Sequence, residues 1–251
     1  MFSWIPLLTF KHFFKHGSEA NLKSKAACPR NFSSLIRSSY DKAFECEKSG
    51  RHNYYVMVFS LITVFLVTVY PYLPALNPTG RFVGVDIPFY EKKLLELNSL
   101  RDFPSIVSKA FISYADRPVS ILLLFFGWKL TWLSAVEAAQ FSLIILGLIL
   151  VFATYMFARL LGFTQFSASM VMLFTSFSFH ITVGMYGGFI ANWIGLIFYY
   201  LFWGFLCLAM RSGSWLHCLT SMAFLGLLMF SHAETWGMSM ASCFSSFPYT
   251  F

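Results

Sequence analysis

From Ala138 to Ala233 only Arg159 and Arg211 carry a charge. A soluble domain keeps about a quarter of its residues charged, and a stretch this long cannot cover itself against water. Its apolar runs suit hydrocarbon instead, where a helix satisfies its own backbone groups. The rest of the chain agrees: 12% of all residues are charged and 20% are aromatic. The formal net charge of +7 is unevenly spread, since nine of the eighteen Lys and Arg precede Tyr54. That places the positive charge on one arm and removes any need for a nucleic-acid partner. Five cysteines, unevenly spaced and without a Cys-x-x-Cys pair, support neither a disulfide framework nor a structural zinc site.

Two regions follow from this distribution. Residues 1–53 form a basic arm in which Lys23, Lys25, Arg30, Arg37, Lys42, Lys48 and Arg51 alternate with Glu19, Asp41, Glu45 and Glu47. Such an arm is solvated, and its basic balance places it on the cytoplasmic side. Its start, Met1–Phe14, reads either as an interfacial helix on anionic lipid or as a disordered segment. It lacks the leading basic residues and the small-residue cleavage site of a secretory signal.

Residues 54–251 form a transmembrane domain. Spans are predicted over Tyr54–Leu76, Ala138–Ala158, Leu160–Thr182, Tyr186–Met210 and Trp215–Phe230. The segment Pro118–Val136 is apolar apart from Lys129. As a sixth span it would hold that cation near the bilayer centre, at a cost of roughly 2.5–3.5 kcal/mol. As a re-entrant helix it lets Lys129 snorkel to the interface and returns Arg159 and Arg211 to the cytoplasmic side. The predicted fold is therefore an all-α, polytopic membrane helix bundle with about five transmembrane helices, outer juxtamembrane helices and one re-entrant helix.

The long outer loop, Asn77–Arg117, holds most of the charge beyond the arm. Within it Tyr90, Leu94 and Leu97 mark one apolar stripe, and Ile106, Val107, Ala110, Phe111 and Tyr114 mark a second behind Pro104. Two short helices lying on the membrane surface, Phe89–Leu100 and Pro104–Tyr114, are predicted, with a Gly-x-Asp-x-Pro turn at Gly84–Pro88 leading into them.

Four stretches in order give this chain a resemblance to the integral membrane glycosyltransferases of the GT-C class, which include oligosaccharyltransferases and protein O-mannosyltransferases. Gly84-Val85-Asp86-Ile87-Pro88-Phe89-Tyr90 is similar to the acidic motif of the family's first outer loop. Asp116-Arg117-Pro118-Val119-Ser120 resembles the start of its second juxtamembrane helix. Tyr155–Gly162 closes a span with an aromatic, an Arg, two Leu and a Gly, and Gly187-Gly188-Phe189-Ile190-Ala191-Asn192 resembles the second outer loop. The likeness covers Tyr54 to Gly237. The chain departs from the pattern at Ile87, where many relatives have Glu, and in having no acid in the second outer loop. It is also much shorter than family members, as expected of the N-terminal transmembrane part of one.

The resemblance implies transfer of a sugar from a lipid-linked phosphate donor, with Asp86 as base or as a carboxylate for a divalent metal. Arg117 or Lys129 would meet the phosphate, and His180, Asn192, His232 and Glu234 come out on the same face as the loop. Each residue also has a plainer reading. Asp86 ahead of Pro88 suits a helix cap, Arg117 an interfacial anchor, and the two histidines and the His-x-Glu pair suit ordinary interfacial polarity. The spans after Ala138 have too few polar residues for a transport path. A noncatalytic membrane subunit that docks a membrane protein partner through the loop is the alternative, and it has no need of Asp86.

Overall fold

The computed structural model describes residues 51–246; the basic arm with Met1–Phe14, and residues 247–251, lie outside the described residues. Among the described residues all regular elements are helical. Four helical stretches, His52–Tyr72, Ala135–Leu160, Gln165–Gly187 and Ile190–Ser212, are long and apolar enough to cross a membrane.

The first helix, α1, spans Arg51–Val69 and closes in a 3-10 turn at Tyr70–Tyr72. It stops short of Leu76 because Pro71 cannot continue the backbone ladder. Two loop helices follow, α2 at Ile87–Asn98 and α3 at Phe103–Ser113, each within a few residues of its predicted place. The first stripe faces inward, with Tyr90, Leu94 and Leu97 at 1% exposure or less, while of the second Ala110 and Tyr114 are buried and Phe111 is exposed. The segment with Lys129 is a helix only over Pro118–Lys129, here α4. Twelve residues rise about 18 Å, too little to cross a ~30 Å core. Both its ends lie at the loop end of the bundle. Ser120 Oγ donates to the Ser231 carbonyl at 2.9 Å, and Lys129 Nζ donates to Asn98 Oδ1 at the end of α2.

The longest helix, α5, covers Ala135–Leu160. Ser134 opens it with a capping box: its hydroxyl accepts from the Glu137 N–H at 3.3 Å, and the Glu137 carboxylate accepts from the Ser134 N–H at 2.8 Å. The helix runs through Arg159, where a break was predicted, because a charge interrupts hydropathy without disfavouring helix. The chain instead turns at Gly162, with φ +89°.

The next span is two helices, α6 at Gln165–Ser176 and α7 at Phe179–Gly187. Gly188, at φ +71°, makes the turn into α8, Ile190–Ser212. Gly187 and Gly188 thus close one helix and precede the next, so this span starts at Ile190 rather than at Tyr186. The fifth predicted span, α9 at Trp215–Ser231, has 17 residues, rises about 25 Å and packs extensively along α8. The five expected spans are therefore four of full length and one shorter. His232, in extended backbone, leads into α10, Ala233–Ser246.

Trp193 on α8 is the largest fully buried side chain, at 1% exposure. It fits because Gly147 and Gly184 lack a Cβ. An added Cβ would stand 3.3 Å from its ring at Gly147 and 2.5 Å from Nε1 at Gly184. The indole N–H donates to the His180 carbonyl at 3.0 Å. Small residues that admit one large ring hold α5, α7 and α8 together at the loop end.

Candidate functional site

The Gly84–Tyr90 and Gly187–Asn192 stretches, far apart in sequence, meet backbone to backbone. The Val85 N–H donates to the Tyr186 carbonyl and the Asp86 N–H to the Gly187 carbonyl, both at 3.1 Å. Gly84, at φ +112°, makes this approach possible, since a Cβ there would lie 3.1 Å from Gly188 Cα and 2.8 Å from Ile87 Cγ1. Asp86 occupies the N-cap position of α2, yet its side chain makes no capping bond. Its half-buried carboxylate is thus not committed to the helix. Asp102 is the contrast, since its Oδ1 accepts from the Ser105 N–H at 2.8 Å.

Tyr90, one turn into α2, ties the loop to α8. Its phenol oxygen accepts the Ala191 N–H at 3.0 Å, one of the donors that a first helical turn leaves without an internal partner. Burial pushes this phenol above its ordinary value, against the Ala191 N–H and the Arg117 guanidinium beside it, while Asp86 adds to the rise. The Arg117 guanidinium lies 5.5 Å from the centre of the Phe89 ring, and its Nε donates to Asp116 Oδ2 at 2.5 Å. Burial pulls Arg117 down, but its bonds to Asp116 and Tyr90 outweigh that and hold it above its usual value.

His232 completes the group from the far end of α9. It sits against Gly195 of α8, where a Cβ would come within 2.8 Å of the His232 Cβ. Its Nδ1 lies 2.8 Å from Thr235 Oγ1 and accepts from the Thr235 N–H at 3.3 Å. Burial lowers its pKa and Arg117 adds to the fall, whereas Glu234 and Asp116 oppose it. The Ser120 hydroxyl, one turn from Arg117, donates to the Ser231 carbonyl at 2.9 Å, which brings the neighbouring His232 to the end of α4 that carries the Asp116–Arg117 pair. The site therefore combines Asp86, Tyr90, Asp116, Arg117 and His232, with exposed Glu234 at its edge.

Other candidates stand apart. Lys129 is at the opposite end of α4 from Arg117, about 18 Å along the axis. His180 begins α7, about 10 Å of helix before Gly187, and its exposed ring lies beside Phe179. Only its carbonyl is used, by Trp193. Asn192 is half-buried in the first turn of α8 and has no side-chain hydrogen bond among the described residues. The Tyr155–Gly162 stretch lies at the other end of the bundle, where Arg211 reaches the Leu160 carbonyl.

Sequence reading missed Asp116 as a site residue and Tyr90 as the link to α8. The tyrosine signal was present as an apolar stripe that contained one hydroxyl. Among the described residues no three His, Cys, Asp or Glu side chains converge. Neither a protein-family model, nor a curated protein, nor a solved structure matches this chain.

Proposed function

We propose that the chain is a membrane glycosyltransferase, or the N-terminal transmembrane part of one, of the GT-C class, and that it transfers a sugar from a lipid-linked phosphate donor at the outer face. The carrying observation is the two-bond junction between Gly84–Asp86 and Tyr186–Gly187. It brings two of the stretches that bear the resemblance to one place, with the Asp86 side chain uncapped there.

In this reading the Asp86 carboxylate takes the proton of the acceptor as the sugar–phosphate bond breaks, and Arg117 steadies the departing phosphate. Arginine has five N–H donors in a planar fork, so the Nε–Asp116 bond leaves it capacity for a phosphate. Burial favours the neutral form of His232, which can accept a proton, at the same face. The orientation belongs to the proposal: the basic arm, Arg159 and Arg211 lie inside, and the loop and the Asp86 site lie outside.

The test is Asp86→Asn, which keeps shape and removes the charge. With a lipid-linked phosphate sugar as donor, transfer falls at least about a hundredfold while the protein stays folded in membranes. Full activity of the variant overturns the assignment. It would favour the noncatalytic subunit instead, a reading that the close Asp116–Arg117 pair also suits, since that pair neutralises the site's cation without any substrate.

A further inference from the structure

A groove of about 370 Å³ lies between α4, α5 and α8. It is lined by Leu123 and Gly127 of α4, Phe141, Ile145 and Ile149 of α5, and Ile194 of α8, among other apolar residues. Phe141, Ile145 and Ile149 repeat every four residues on one face of α5, and each is nearly half exposed. That face runs along a membrane span, so the groove opens sideways into hydrocarbon, and over these residues it extends about 12 Å down the helix.

Its loop-side mouth is built differently. Trp128 lines the groove and donates its indole N–H to the Leu133 carbonyl at 2.8 Å. Lys129 Nζ stands 4.7 Å from the centre of that indole. It donates to the neutral Asn98 amide oxygen and has no carboxylate partner among the described residues. Just beyond, Leu130 and Trp132 are the most exposed large apolar residues of the described chain, at 88% and 105%. A lone cation with one half-buried and one exposed indole at the start of a span matches headgroup depth.

None of Asp86, Tyr90, Arg117 and His232 lines the groove. A phosphate that reaches Lys129 is about 18 Å of helix from one that reaches Arg117. The groove is therefore separate from the proposed transfer site.

We propose that this groove is a binding site for an anionic phospholipid of the surrounding bilayer, with one acyl chain under α4 and the phosphate on Lys129. A gap in hydrocarbon loses dispersion contacts on one side, and a flexible chain restores them. The unpaired ammonium then selects a net negative headgroup over a zwitterionic one.

The experiment is native mass spectrometry of the purified full chain, equilibrated in micelles with equal phosphatidylglycerol, phosphatidylcholine and a polyprenyl phosphate. The wild type should retain phosphatidylglycerol about fivefold over phosphatidylcholine, the effect of one basic residue at a membrane surface. Lys129→Gln should abolish that preference and still retain a lipid. Gly127→Phe, at a position where an added Cβ meets nothing within 4 Å, should fill the groove and lower retention of every lipid with helicity unchanged. Equal retention of the two phospholipids by the wild type, undiminished retention by a folded Gly127→Phe, or preference for the polyprenyl phosphate overturns the proposal. Asp86→Asn should leave lipid retention as it was, so this site and the transfer site fail separately.

Discussion

Asp86 and Asp102 are each followed, two residues on, by a proline, and each precedes a loop helix. Their roles diverge because their backbones do. Asp102 is extended, at φ −127° and ψ 150°, which lets its carboxylate fold back onto Ser105. Asp86 is already near-helical, at φ −86° and ψ −4°, with its N–H held by Gly187. Asp102→Ala should therefore speed amide exchange at Ser105, whereas Asp86→Ala should leave exchange at Phe89 unchanged. Tyr90→Phe removes the acceptor of the buried Ala191 N–H on α8, and should cost about 1–3 kcal/mol in unfolding experiments in detergent. His232 gives a pH signature. Its folded pKa lies below the ordinary 6.5, so its stabilising contribution is complete above 6.5 and is lost as pH falls through the folded value. Acid should thus destabilise the wild type more than His232→Gln over that window.

Among the elements, the junction of the loop with the α7–α8 turn rests on glycines. Gly84→Ala places a side chain at φ +112° and into Gly188, so the junction should part. The expected result is faster exchange of the Val85 and Asp86 amides, with a destabilisation of more than about 1 kcal/mol. The spans should persist, because their burial does not depend on this contact. The lengths of α4 and α9 carry a related lesson. Hydropathy marks both as apolar, but length decides whether an apolar helix crosses, and only the folded chain shows where each one stops. For α4 the stop is at Lys129, which the Asn98 contact keeps at the loop end.

For the whole molecule the arrangement of ends is the testable property. The Leu160 carbonyl and Arg211 meet at one end, and Asp86, Gly187 and Ser231 gather at the other. With the arm cytoplasmic, Ser212→Cys in a background without native cysteines should resist an impermeant reagent in intact cells, and Ser99→Cys should react. Labelling of Ser212→Cys would invert the orientation and place the Asp86 site inside.

Hydropathy along the chain was enough to establish a helical membrane bundle and the two short helices of the loop, because burial depends first on each segment's own composition and length. It also marked Asp86, Arg117 and His232, since charge and imidazole are conspicuous beside so many apolar residues. It did not show that Lys129 and Arg117 serve different ends of one helix, that the third span breaks at Phe177–Ser178, or that Tyr90 reaches Ala191. Those features depend on contacts between residues distant in sequence, on glycines that admit Trp193 and His232, and on the backbone angles that free one aspartate and bind another. Local composition contains none of that information, so packing alone decided where the polar groups of this chain came together.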